Sequence, residues 1–322
     1  MSPAPSARSL GGVGLGILAS AAFGSSGTFA TSLLQNDWSP TAIVTLRVTI
    51  ATLVLAIPGI VALRGRWYLL RRSARSILLF GFIGVAGCQV AYFQALQHLS
   101  VGVALLLEYM AILLVVAWQW ARHGHRPRRL TVAGSTLAVA GLVFVLDVFG
   151  DVKLDPIGVL WAVSAAVCLA IYFFIADGVD EELPSVTMSG ASMGVGAITL
   201  IVFAAFGLIP MHGNTKDVTL AGHQFSFLVP VLGISLLAAA LAYVLSVAAV
   251  RSLGAKVSSF VSLAEILFAV LYAWLLLNQV PTWAQGVGGL LVIAGVALVR
   301  ADEMRDEDAP NFAPEPLATL DE

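Results

Sequence analysis

The sequence predicts an all-α, polytopic membrane protein with ten transmembrane helices, arranged as two inverted repeats of five helices (5+5). Three observations lead to this fold class: an apolar composition, ten apolar stretches of membrane-spanning length, and a similarity between the two halves. Of the 322 residues, 59% are hydrophobic and 11% are charged, whereas soluble domains carry about 25% charged residues. A soluble enzyme, a nucleic-acid-binding protein and a disordered chain are therefore excluded.

Each of the ten apolar stretches can cross a hydrocarbon core of about 30 Å, which takes roughly 20 helical residues. Most links between them are short, so no soluble domain is inserted. The predicted spans are Leu10–Leu33, Pro40–Leu63, Ser76–Ala95, Ser100–Ala121, Leu130–Val148, Pro156–Ala176, Pro184–Ile209, Phe225–Val250, Lys256–Leu277 and Thr282–Val299.

Basic residues lie mostly on one side of this map. With the N-terminus inside, fourteen Lys and Arg residues fall in inner segments, and only Lys153 and Lys216 fall in outer loops. Inner loops of membrane proteins are enriched in Lys and Arg, so both termini are expected in the cytoplasm, with the chain in a bacterial plasma (inner) membrane. The tail, residues 301–322, is acidic and contains three prolines, and we expect it to be disordered.

The second half of the chain repeats the first at a shift of 154 positions. Trp and Pro matches in one register are harder to obtain by chance than matches among Ala, Val and Leu, although similarity between apolar helices is the alternative. The matched pairs include Trp120 and Trp274, Pro127 and Pro281, Gly134 and Gly288, and Gly141 and Gly295. We place the repeats at residues 10–149 and 155–300. Because five is odd, the second repeat enters the membrane inverted, and a substrate site is expected between the repeats.

Three ionisable residues lie inside predicted spans, where a charge is costly and a functional role is the first hypothesis. Glu108 and Glu265 lie about 12 and 13–14 Å into their helices at 1.5 Å per residue, close to the midplane. Glu108 aligns with Ser262, three residues before Glu265 and on the same helix face. Both carboxyl groups are therefore expected to face one central cavity. The alternative is a protonated glutamate that only joins helices.

Arg47 lies roughly 10 Å from the outer boundary of the second span. It either extends to the outer headgroups or faces inward as a counter-ion to a substrate carboxylate or to Glu108. Further candidates for the cavity wall are Gln89, Tyr92, Tyr243 and Ser262, because polar groups turn away from lipid. Hydrogen bonding between helices is the alternative role for each of them.

The sequence contains no signal for a cofactor or a metal. No phosphate-binding loop occurs, which excludes ATP hydrolysis by this chain. His123 and His125 lie in a basic inner loop without Cys or acidic partners, and we interpret them as solvated. Cys88 and Cys168 lie in apolar stretches and are interpreted as small packed residues.

The ninth and tenth spans resemble the EamA family of the drug/metabolite transporter superfamily. The resemblance rests on VSSFVSLAEILFAVLYAWLLL at residues 257–277 and PTWAQGVGGLLVIAG at residues 281–295. Ile266 stands where the family usually has proline, and Asn278-Gln279 where Gly-Glu is common. The run Leu107-Glu108-Tyr109 is similar to the threonine/homoserine exporter branch, which continues with Gly-Pro where this chain has Met110-Ala111.

The resemblance implies a secondary active exporter of small polar metabolites, with amino acids or related compounds as the first expectation, working by alternating access. Coupling to protons is one way to drive the export. The family's ninth-helix pattern favours Glu265 over Glu108 as the coupling group. A multidrug efflux carrier is the near alternative. The alternatives from a different functional class are a membrane-embedded lipid enzyme and a passive channel. The expected partners are a small-molecule substrate and the lipid bilayer, with no nucleic acid, no cofactor and a homodimer left open.

Overall fold

The computed structural model describes residues 7–111, 129–145, 155–177, 182–246 and 264–307, together with residues 114, 118, 248, 249, 252 and 261. Ser262, His123 and His125 lie outside the described residues, as does the part of the acidic tail after Glu307.

Within the described residues the chain forms ten longer helices and one short one, and we number the longer ones α1 to α10 in chain order. They are Ala7–Leu34, Pro40–Leu63, Ala74–Ala95, Val101–Tyr109, Arg129–Val145, Pro156–Asp177, Ser185–Ala205, Leu228–Ser246, Ala264–Leu277 and Trp283–Glu307. A five-residue helix, Tyr68–Arg72, lies between α2 and α3.

Each predicted span overlaps one of these helices. Over the described residues, α1, α2, α3, α7 and α8 are long and apolar enough to cross a membrane, and α6, α9 and α10 contain shorter apolar segments. The chain is therefore a mostly helical membrane protein, and the count of ten spans stays a prediction. The last helix runs through Glu307, so the tail is helical beyond Arg300, where the sequence predicts disorder.

The all-α prediction misses a β-hairpin between α7 and α8. Strands β1, Val218–Leu220, and β2, His223–Phe225, pair in antiparallel fashion, with Leu220 opposite His223. Ala221 and Gly222 form the turn and both have positive φ, 51° and 75°. Two residues with positive φ match the twist of a two-residue hairpin. Strands of three residues are too short to show an alternating pattern in the sequence.

Two helices contain π-helical segments at matching places. In α3 the π-helix covers Phe80–Gly87, and in α8 it covers Gly233–Leu241. The shift of 154 positions carries residues 80–87 onto residues 234–241, which lie inside the second π-helix. The third and eighth helices thus share an uncommon backbone feature in the register that the sequence repeat predicts.

Helices α5 and α10 approach each other through glycines. A Cβ on Gly295 would lie 2.5 Å from the carbonyl oxygen of Gly134, so only hydrogen fits there. Gly141 makes the corresponding approach to Gly288. Under the shift of 154, the first contact becomes the second with the partners exchanged. A two-fold relation between the halves requires such reciprocal contacts.

One end of the helix bundle is closed by hydrogen bonds between loops that the sequence predicts to lie outside. The Ser39 backbone N–H donates to the carbonyl of His212 at 2.9 Å, and Asn214 Nδ2 donates to the carbonyl of Asn36 at 2.5 Å. The hairpin joins α9 where the Ala221 N–H donates to the carbonyl of Leu276 at 2.8 Å. We call this the hairpin end of the molecule.

Candidate functional site

Arg47 is placed in the protein interior by α2. Ser39 caps the helix by accepting a hydrogen bond from the Ala42 N–H, and Pro40 occupies its first turn. Arg47 lies two turns further and is 3% exposed. It therefore faces the bundle, as the inward alternative predicts, and does not extend to the headgroups.

Three helices supply acceptors for the Arg47 guanidinium. Nη1 donates to Ser26 Oγ on α1 and to Gln89 Oε1 on α3, both at 2.7 Å. Nη2 donates to the carbonyl of Ala238 at 3.0 Å. Ala238 belongs to the π-helix of α8, so this bond joins the first half of the chain to the second. The guanidinium also lies 5.8 Å from the ring centre of Phe93.

Glu108 lies on α4 and is 9% exposed. Its Oε1 accepts a hydrogen bond from the Cys88 thiol, with sulfur and oxygen 3.2 Å apart. The same thiol lies 3.6 Å from the carbonyl of Ala165 on α6. Cys88 is thus a buried free cysteine, as its apolar surroundings predict, and it also contacts the candidate carboxyl group.

Glu265 lies on α9 and is half-buried. The Tyr109 hydroxyl of α4 donates to its Oε2 at 2.9 Å, so a second hydrogen bond joins the two halves. Glu265 also lines a cavity of about 70 Å³ with residues of α1 and of the eighth-helix region. The lining residues are Gly16, Ala19, Ser20, Phe23, Ser246, Ala249 and Glu265.

The two carboxyl groups have different surroundings. The described lining of the cavity includes Glu265, whereas the carboxyl group of Glu108 accepts a hydrogen bond from Cys88. That both carboxyl groups face one common cavity stays a prediction. Arg47 donates only to neutral acceptors among its described hydrogen bonds. Gln89, one of these acceptors, adjoins Cys88, which contacts Glu108. Tyr109, which adjoins Glu108, donates to Glu265. Neighbouring contacts thus connect the three ionisable groups, which we call the charged cluster, without a direct ion pair among the described contacts.

The remaining candidates lie around this cluster. Gln89 bonds directly to Arg47, and the Tyr92 hydroxyl lies beside Gly27, 2.6 Å from where a Cβ would stand. Tyr243 is half-buried and packs its ring edge-on against Phe23 at 5.1 Å.

Sequence reasoning missed three contributors: Ser26, Cys88 and Tyr109. Cys88 and Tyr109 each adjoin a residue that the sequence singled out, Gln89 and Glu108. Serine, cysteine and tyrosine are common in apolar helices, so the sequence singles out Cys88 and Tyr109 only by their position next to a candidate residue.

Comparisons with known proteins identify the family of the chain. The model of the EamA-like transporter family matches the chain twice, over residues 10–147 and 156–301. A threonine/homoserine exporter, RhtA of Salmonella typhimurium, is 24% identical over 287 residues, 88% of this chain and 88% of the exporter.

Two more relatives are similar over about three quarters of the chain. The "Uncharacterized inner membrane transporter YicL" of Salmonella typhimurium is 22% identical over 238 residues, 73% of this chain and 76% of the relative. An "Uncharacterized transporter" of Archaeoglobus fulgidus is 27% identical over 250 residues, 73% of this chain and 80% of the relative.

A solved crystal structure shares the fold, with a TM-score of 0.58 at 20% sequence identity, covering 92% of this chain and 99% of the solved one. The double match of the family model spans most of the helices described above. The chain therefore belongs to the EamA-like transporter family, and it is a multi-pass membrane transporter of small molecules.

Proposed function

We propose that the protein is a secondary active exporter of amino acids or related small polar metabolites, which works by alternating access between its two five-helix halves. The supporting observation is the cluster of Arg47, Glu108 and Glu265, which lies where helices of both halves meet and in which Arg47 and Glu108 are buried. The similarity to an exporter of threonine and homoserine supports the substrate class.

The cluster offers complementary charges to a zwitterion. A guanidinium binds carboxylates with a planar set of donors, and a carboxylate binds an ammonium group. Arg47 belongs to α2 of the first half and Glu265 to α9 of the second. A substrate held by both groups would contact both halves, as a site that alternates between two openings requires.

Glu265 is the proposed coupling group. It borders the cavity, and its only described hydrogen-bond donor is the Tyr109 hydroxyl. A carboxyl group that exchanges between a proton and an ammonium group links the movement of the two, because both need the same oxygen atoms. The carboxyl group of Glu108 accepts a hydrogen bond from Cys88. Its proposed role is to set the electrostatic potential at Arg47. Gln89, Tyr92, Tyr243 and Ser262 are proposed as wall residues.

The proposed topology places both termini in the cytoplasm and the hairpin end outside. The two halves, residues 10–149 and 155–300, are proposed to be related by a two-fold axis in the membrane plane. The matching π-helices and the reciprocal glycine contacts support this relation.

Flux from proteoliposomes tests the function. Vesicles loaded with radiolabelled threonine are diluted into buffer with and without a pH gradient, and efflux is followed over time. The proposal predicts that a gradient accelerates efflux and that Glu265→Gln abolishes the acceleration while keeping the fold. A passive channel would show efflux that ignores the gradient.

Glu108→Gln is the matched control, because it changes the same chemical group at the other buried site. It is expected to retain gradient-driven efflux at a reduced rate. Loss of coupling in Glu108→Gln alone would assign the coupling group to the first half. Wild-type efflux and pH dependence in Glu265→Gln would show that Glu265 only joins helices.

A further inference from the structure

A second, larger cavity lies apart from the charged cluster, at the hairpin end. Its volume is about 480 Å³, within the range of small-molecule sites, roughly 300–1,000 Å³. We call it the lateral cavity. Its wall is formed by α4 of the first half and by α9, α10 and their connection in the second half; the lining includes Val103, Leu106, Val270, Gly286, Leu290 and Ile293.

The lateral cavity is nearly as deep as one leaflet. On α10 its lining residues run from Gln285 to Ile293, eight residues or about 12 Å at 1.5 Å per residue. Half of a hydrocarbon core of about 30 Å has a similar depth. With the hairpin end at the membrane surface, the cavity extends toward the midplane.

The lateral cavity is bordered by residues that face the surroundings of the bundle. Leu267 is 55% exposed and Leu290 is 65% exposed. At this depth the surroundings are hydrocarbon, so lipid reaches the cavity from the side.

The chemistry of the wall changes along its length. Ser100, Asn278, Gln279 and Gln285 line the part nearest the hairpin end, and aliphatic side chains and glycines line the rest. Its described lining contains no Lys, Arg, Asp or Glu, and His98 at the rim is paired with Asp155 at 2.6 Å. A small zwitterionic metabolite would find no charged partner here. A molecule with an uncharged polar group above a long apolar chain fits both parts.

We infer that the lateral cavity binds one acyl chain of a phospholipid from the leaflet at the hairpin end, with the glycerol ester region at Asn278, Gln279 and Gln285. The side-chain oxygens of Gln279 and Gln285 already accept backbone hydrogen bonds, from Val101 and from Thr282. Their amide N–H groups are therefore the donors available to ester and phosphate oxygens. The bound chain would contact both halves of the protein. This inference does not depend on the identity of the transported substrate.

Gly286 provides the test, because it lines the cavity and a Cβ there would meet no atom within 4 Å. Gly286→Leu adds a side chain at the cavity, and its Cβ meets no atom of the protein. Gly14 on α1 is also exposed and also has open space around a Cβ, but it does not line the cavity. Gly14→Leu is therefore the matched control, and Gly286→Ala is a smaller step at the cavity itself.

The full chain is placed in nanodiscs of bacterial phospholipids that contain a phosphatidylethanolamine with a diazirine at mid-chain. After illumination, the labelled peptides are identified by mass spectrometry. We expect labelling concentrated on α4, α9 and α10, at least five-fold weaker labelling there in Gly286→Leu, intermediate labelling in Gly286→Ala, and wild-type labelling in Gly14→Leu. Gel filtration and thermal melting verify that each variant is folded.

Two results would overturn the inference. The first is equal labelling of all lipid-facing helices, or undiminished labelling in folded Gly286→Leu. The second is displacement of the label by a micromolar lipophilic cation such as tetraphenylphosphonium together with its transport, which would make the cavity a drug site.

Discussion

Gly141 on α5 lies so close to Gly288 on α10 that a Cβ on Gly141 would stand 2.6 Å from the Gly288 carbonyl oxygen. Gly295 makes the equivalent approach to Gly134. This distance is shorter than a van der Waals contact between carbon and oxygen, so the helices would have to separate to accept even a methyl group.

We therefore predict that Gly141→Ala and Gly295→Ala each lower the free energy of unfolding by about 1–3 kcal/mol, the usual cost of overpacking. If the halves are related by a two-fold axis, the two losses will be similar. Unfolding in mixed detergent micelles measures them. Gly14→Ala is the control and is expected to be neutral, because nothing lies within 4 Å of its Cβ. Unequal losses would argue against the symmetric relation.

Tyr109→Phe removes the hydroxyl that donates to Glu265 at 2.9 Å and leaves the ring in place. A hydrogen bond to a charged group contributes about 1.5–3 kcal/mol. We expect a stability loss of that order and a changed pH dependence of efflux, because the carboxyl group loses a donor. Tyr272→Phe on the same helix as Glu265 is the control. An unchanged pH profile of efflux in Tyr109→Phe would show that Tyr109 takes no part in coupling.

Arg47→Lys keeps the buried charge but not the planar set of donors. The acceptors Ser26, Gln89 and Ala238 belong to three different helices, and an ammonium group cannot reproduce the fork that reaches them. A buried acceptor without a donor costs about 1–3 kcal/mol. We predict a loss of that size in thermal or detergent unfolding, with efflux strongly reduced. Arg75→Lys, at an exposed position, should change stability by less than about 0.5 kcal/mol.

Asp155 connects pH to stability at the hairpin end. The Ile157 N–H donates to its carboxylate at 2.9 Å, and His98 lies 2.6 Å away; together they lower the pKa of Asp155 from its usual 3.8. A lowered pKa in the folded state means that the contribution is present above about pH 4 and is lost as the pH falls through the folded pKa. Asp155→Asn should make the melting temperature of the purified protein less dependent on pH below about pH 4. A wild-type slope in that variant would contradict the assignment.

Sidedness is testable with single cysteines. Thr215 at the hairpin end and Arg75 at the opposite end are both exposed. In intact cells, a membrane-impermeant maleimide is expected to label Thr215→Cys and not Arg75→Cys, with wild-type protein as the background for the native cysteines. The reverse pattern would place the termini outside.

The sequence predicts the membrane class, the helix positions and the family because these depend on composition, period and motif. It also identifies Glu108, Glu265 and Arg47, since charges in apolar helices are rare. It does not predict that Glu108 accepts from Cys88 and Glu265 from Tyr109, because a helix face specifies direction and not the partner. The Cys88 thiol beside Glu108 and the π-helices depend on packing between helices, which no local pattern encodes.

The π-helices of α3 and α8 fix the geometry of the charged cluster. A π-helix closes its hydrogen bonds over five residues where an α-helix uses four, and Cys88 and Gln89 directly follow the first of them. With one residue fewer in that segment, the residues after it would stand about 1.5 Å further along the axis and 100° around it. The Cys88 thiol would then point away from Glu108 and the Gln89 amide away from Arg47. In α8 the same change would displace the Ala238 carbonyl that accepts a hydrogen bond from Arg47. The contacts of the charged cluster in both halves therefore depend on these π-helical turns.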